Sequence, residues 1–85
     1  MRALITGISG QDGHYVASSL LSRGYEIIGL SSSAASREKA ALEWTGAPVV
    51  VEQFDYQRAG ALTEVVQRVR PDLIFNFAAK STGQG

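Results

Sequence analysis

Eighty-five residues, 45% of them hydrophobic, are enough for one small globular unit with a modest buried fraction and marginal stability. Eight basic residues balance eight acidic ones and no charged run exceeds three residues, which argues against a nucleic-acid patch or a polybasic membrane segment. There is no cysteine to form a disulfide or a thiolate metal site, no apolar run near the ~20 residues that span a bilayer, and no charged leader ahead of an apolar stretch, so a cytoplasmic protein without metal is expected.

Residues 2–6 predict a buried strand from the apolar run Ala3-Leu4-Ile5. Gly7-Ile8-Ser9-Gly10-Gln11-Asp12-Gly13 follows at once and leads into a helix over 12–23, where Val16, Ala17, Leu20 and Leu21 share a face and Gly24 supplies the C-terminal stop. Tyr25–Leu30 predicts a second strand, Ser31-Ser32-Ser33 a polar loop, and 35–44 a helix whose large apolar residues are Leu42 and Trp44. Gly46-Ala47-Pro48 breaks the chain before a β-branched third strand at Val49–Phe54. Leu62, Val65, Val66 and Val69 form the stripe of a helix over 58–69, which Pro71 ends, and Leu73–Ala78 predicts a fourth strand.

Strands alternating with helices through short connections imply an α/β fold with a parallel sheet and right-handed crossovers. The expected order is 3-2-1-4, the first half of a Rossmann-like doubly wound sheet. Thr6, Leu30, Asp55 and Ala78 then gather along one edge, where such sheets bind ligands. Only half of such a sheet is present: the fourth strand has an uncovered apolar face, formed by Leu73, Phe75 and Phe77 or by Ile74 and Asn76, which favours association. Residues 1–85 are therefore expected to be the N-terminal half of a dinucleotide-binding domain from a larger protein, with catalytic and substrate regions elsewhere.

The glycine loop carries the chemistry. A helix N-terminus presents unpaired N–H groups and roughly half a positive charge, a natural seat for a phosphate. Gly7 permits the sharp exit from the strand, Gly10 keeps a Cβ away from a pyrophosphate, and Gly13 lets the helix approach the sheet. The spacing is G-x-x-G-x-x-G, distinct from the G-x-G-x-x-G of the common dinucleotide fingerprint.

Thr6-Gly7-Ile8-Ser9-Gly10-Gln11-Asp12-Gly13 resembles the cofactor loop of extended short-chain dehydrogenase/reductases, the epimerase/dehydratase family that acts on nucleotide sugars. Gly10-Gln11-Asp12-Gly13, Tyr15 and the run Leu20–Ile27 look most like the GDP-mannose 4,6-dehydratases of that family. Pro71-Asp72-Leu73-Ile74-Phe75-Asn76-Phe77-Ala78-Ala79 resembles its P-D-x-x-x-N-x-A-A fourth strand. The resemblance implies a lyase in which a bound nicotinamide takes hydride from the sugar C4, the C5 proton leaves with the 6-hydroxyl, and hydride returns at C6. It also implies a nucleotide-sugar substrate and a homo-oligomer when complete. The family's Tyr-x-x-x-Lys pair is absent, since Tyr15, Tyr25 and Tyr56 are followed four residues on by Ser19, Gly29 and Gly60. No catalytic residue is therefore expected in this chain. A nucleotide-sugar 4-epimerase would share most of these motifs, and a non-catalytic NADP-binding scaffold would share the fold.

The cofactor-binding set expected from these readings begins with Gly7, Ser9, Gly10, Gln11, Asp12 and Gly13. Asp12 also fits a plain helix-start acid, Gln11 a solvated side chain, and His14 a surface residue. Ser32 and Arg37 come next. Ser31-Ser32-Ser33 occupy the place where an acid would bind the ribose 2′-hydroxyl of NAD, and Arg37 a few residues on is within reach of a 2′-phosphate, so hydroxyl and guanidinium favour NADP, with NAD as the alternative. Asp55 and Tyr56 follow the third strand, where the resemblance implies an acid on the adenine amino group; Asp55 equally fits a cap of the next helix. Phe77, Ala78, Ala79 and Ser81 complete the set, the alanines being small enough for a ribose to pass. Lys80 replaces a glutamine common in the family. Asn76 reads as a buried amide bracing the sheet, and Trp44 and Phe54 as core or interface aromatics.

Overall fold

Ala3, Leu4 and Ile5 are fully buried, so their strand is apolar on both sides and lies between helical layers, as a central parallel strand must. The computed structural model describes residues 1–77. In chain order these form β1 (Arg2–Thr6), α1 (Gln11–Leu21), β2 (Glu26–Ser31), α2 (Ala34–Glu43), β3 (Val49–Gln53), α3 (Ala61–Val69) and β4 (Leu73–Asn76). The strands make one parallel sheet ordered β3-β2-β1-β4, the order the alternating pattern predicts. Leu4 stands level with Ile28 on one side and Ile74 on the other.

Two apolar layers flank the sheet. On one face Ala3, Ile5, Ile27 and Val51 pack with Ala17 and Leu20 of α1 and Ala40 of α2. On the other, Leu4 and Leu30 pack with Phe54 and with Ala61, Val65 and Val69 of α3. The stripe predicted for α3 is thus its buried edge. Arg2 fastens the far end of α3: its Nη1 donates to the Val69 carbonyl at 2.7 Å and its amide to Asp72 at 2.8 Å. Leu73 and Ile74 on β4 remain 37% and 48% exposed, which agrees with an edge strand lacking cover.

Several boundaries shift for local reasons. α1 begins at Gln11 with Gly10 as its N-cap and ends at Leu21; Gly24, at φ 85°, donates its amide to the Leu21 carbonyl beyond that end. α2 begins at Ala34 because the Ser33 hydroxyl accepts the Ser36 amide at 3.1 Å. α3 begins at Ala61, three residues later than its stripe suggests. Asp55 Oδ1 accepts the Gln57 amide at 2.9 Å, and this Asx-type turn keeps 55–60 out of the helix. Asp55 therefore caps a turn, while Gly60, at φ 78°, precedes the helix with no side-chain cap. Asn76 also departs from expectation: it is exposed, and its Oδ1 accepts the Thr6 hydroxyl at 2.6 Å, so it ties β4 to β1 through a side chain.

Candidate functional site

The loop after β1 is held from beneath by Ile8. This side chain is fully buried and lies over Gly29 of β2, where an added Cβ would come within 2.8 Å of Ile8 Cγ2. The loop residue between two glycines is thus a core anchor, and Gly29 leaves space for it. Gly7 exits the strand at φ 72°, a conformation costly to any residue with a side chain. The Gly7 and Ile8 amides donate to the Leu30 carbonyl at 3.0 and 3.3 Å, and the Gly10 amide to the Gly7 carbonyl at 3.0 Å. Loop and sheet edge form one hydrogen-bonded piece.

Gly13 is held tightest. A Cβ there would strike the Gly7 carbonyl oxygen and lie 2.8 Å from Ile8 Cα, so α1 rests directly on the loop backbone. Gly10 differs, since its backbone is extended and a Cβ would touch only the Gly7 oxygen, at 3.4 Å. Within the described residues nothing requires a glycine at that position. The first-turn amides of a helix have no intrahelical acceptor, and the N-cap of α1, Gly10, makes no side-chain cap bond to them.

In front of the loop lies a cleft of about 880 Å³, within the range of small-molecule and cofactor sites. It opens between the N-terminal ends of α1 and α3, over the ends of β1 and β4. There the chain's crossovers change face, the switch point at which open α/β sheets bind ligands. Of the expected residues, Gly7, Ser9, Gly10, Gln11, Asp12, Gly13, Ser32, Tyr56 and Phe77 line it. Arg37 does not: it is exposed on the first turn of α2, outside the lining. Asp55 is likewise exposed and absent from the wall, its carboxylate turned to Gln57. Ala78, Ala79 and Ser81 lie outside the described residues.

Thr6, expected at the edge where strand ends gather, also lines the cleft, together with Gln57, Arg58, Leu62 and Thr63, which were not among the expected cofactor residues. The position of these four after the third strand was the available signal. Arg58 brings a guanidinium to the wall, paired with exposed Glu64 at 2.8 and 3.4 Å. That bond holds the Glu64 carboxyl below its ordinary range and raises Arg58. Tyr56 does more than line the cleft. Its hydroxyl accepts the Gly7 amide and donates to the Leu30 carbonyl, both at 3.0 Å. Partial burial pushes the phenol above its usual value, against the smaller lowering effect of the Gly7 bond.

His14 sits behind the loop, its ring 4.9 Å from that of Trp44 and its Nδ1 3.2 Å from Glu43. It is exposed, as expected of a surface residue, and there it links α1 to α2. Trp44 is partly buried against the core on that face and Phe54 belongs to the core on the other, as expected of both aromatics. Among the described residues no helix is long and apolar enough to cross a membrane, and no group of three potential metal-ligating side chains occurs.

The parallel order, the glycine loop between β1 and α1, and a cleft at the switch point define a Rossmann-like α/β protein. The chain belongs to the GDP-mannose 4,6 dehydratase family, whose model matches residues 4–83. It is 34% identical over 87 residues to GDP-mannose 4,6-dehydratase of Vibrio cholerae, an alignment covering 94% of this chain and 23% of that protein. The Homo sapiens GDP-mannose 4,6 dehydratase is 33% identical over 87 residues, covering 93% of this chain and 23% of the relative. The chain thus spans about a quarter of the length of these curated relatives. Among solved structures, Gre2 of Candida albicans in complex with NADPH superposes with a TM-score of 0.78 at 20% identity, covering 89% of this chain and 23% of that one. That likeness shows a shared fold.

Proposed function

We propose that residues 1–85 form the NADP(H)-binding N-terminal half of the dinucleotide domain in a 4,6-dehydratase acting on GDP-mannose. The observation that carries this reading is the glycine loop, anchored by Ile8 and packed against Gly13, with open space before Gly10. The loop and first-turn amides would take the pyrophosphate, while Ser32, at the end of β2, would meet the ribose 2′-phosphate. Family membership supports the reaction: the bound nicotinamide supplies hydride exchange with the sugar, and the tyrosine and lysine that move protons in the family would come from beyond this chain. In this reading the partners are the nucleotide sugar and, in the complete enzyme, further copies of the same subunit.

Cofactor choice tests the reading at one residue. Among the described residues the acid in the cleft lining is Asp12 at the start of α1, whereas the end of β2 contributes Ser32 in place of an acid that would repel a 2′-phosphate. A serine hydroxyl donating to an anion contributes about 1.5–3 kcal/mol when aligned, roughly a ten- to hundredfold preference for NADPH over NADH. In the full-length protein Ser32→Asp should reverse that order in calorimetric titrations, because its carboxylate repels the phosphate and accepts from a 2′-hydroxyl. Arg37→Ala should leave the ratio within about twofold, since a well-aligned charged bond is worth tenfold or more and Arg37 stands outside the cleft. Equal affinities for the two cofactors in the parent protein would contradict the assignment of NADP.

A further inference from the structure

Three strand ends meet at one phenol. Tyr56 lies just past β3, and its hydroxyl bonds both the Gly7 amide that follows β1 and the Leu30 carbonyl of β2. Its ring is fixed edge-on against buried Phe54, with centroids 4.9 Å apart at 67°. The Leu30 carbonyl thereby receives three donors, from Gly7, Ile8 and Tyr56. The sequence places Tyr56 in the cofactor-binding set after the third strand; the cross-link appears when the three strands lie side by side.

We propose that Tyr56 is a positioning residue for the glycine loop. Its hydroxyl fastens the β3–α3 connection to the first residue of the loop and so fixes where the amides over 10–13 stand relative to a pyrophosphate. The inference rests on the dinucleotide reading above and extends it to a residue that acts through the loop. Losing the hydroxyl leaves no polar group stranded: Gly7 keeps its bond to Leu30, and Leu30 keeps the Gly7 and Ile8 amides. The ring contact with Phe54 also survives in Tyr56→Phe, so that variant folds.

The test compares NADPH with adenosine 2′-monophosphate, which lacks the pyrophosphate, by calorimetry on the full-length parent and on Tyr56→Phe. Losing the phenol's two hydrogen bonds, one from the loop amide of Gly7 and one to Leu30 of β2, corresponds to about a tenfold weaker NADPH affinity, with the monophosphate changed by less than about twofold. Amide exchange at Gly7 should also quicken in the variant, a readout independent of any ligand. Undiminished NADPH affinity in Tyr56→Phe would overturn the inference and leave the dinucleotide reading standing. Equal weakening of both ligands would overturn it in favour of a direct contact between the phenol and the adenosine. A parent protein that binds neither ligand would remove the dinucleotide reading, and the positioning role with it.

Discussion

Gly13→Ala is expected to destabilise the protein by about 2–3 kcal/mol or more and to distort the loop as it does so, a large effect for one methyl group. The added carbon would meet the Gly7 carbonyl oxygen and lie 2.8 Å from Ile8 Cα. Both are backbone atoms, so neither can rotate away. Relief requires α1 to lift from the loop, which strains the packing of Ala17 and Leu20 against Ala3 and Ile5 in the core on that face. Elsewhere in a helix Gly→Ala is favourable by nearly 1 kcal/mol, so even the sign of the change is diagnostic. Urea melts of parent and variant measure it directly. A variant as stable as the parent would show that α1 does not rest on the loop as described.

Gly10→Val should act in the opposite way, sparing the fold and removing the cofactor. At Gly10 the backbone is extended, with φ −82° and ψ 169°, so any residue can adopt it, and a Cβ touches only the Gly7 oxygen at 3.4 Å. Valine is a poorer N-cap than glycine, a cost of about 1 kcal/mol. Its branches, however, project into the cleft in front of the first turn of α1. Displacing two charge-assisted bonds between amides and a pyrophosphate forfeits about 3–6 kcal/mol, at least a hundredfold in affinity. Calorimetry with NADPH should therefore show binding abolished in a protein whose urea midpoint has barely moved. Unchanged affinity would remove Gly10 from the site. Together the two glycines separate a role in packing from a role in binding, which their spacing alone does not distinguish.

The strand order was legible because β1 and β2 announce themselves as apolar runs and α3 as a stripe, and alternation leaves few topologies. What escaped was set by single hydrogen bonds. Periodicity carries α3 back to 58, but Asp55 turns on the Gln57 amide and delays the helix to Ala61. Asn76 looks buried within an apolar run, yet β4 is an edge strand, and the exposed residue turns its amide to buried Thr6. The glycine loop was readable as a motif, whereas Ile8 as its anchor depends on Gly29 from the neighbouring strand, a contact without local signature. Arg37 drew attention through charge and nearness in sequence to Ser32. Among the described residues the cation in the cleft lining is Arg58, brought there by the connection after β3.

The most direct test of a dinucleotide seated on the glycine loop is an amide-resolved NMR titration of the full-length protein with NADPH. The account predicts saturable shifts that are largest at Ser9, Gly10, Gln11, Asp12 and Gly13, with Ser32 and Tyr56 following at the same ligand concentrations. Shifts centred on another surface, or none at NADPH concentrations that saturate a micromolar site, would contradict it.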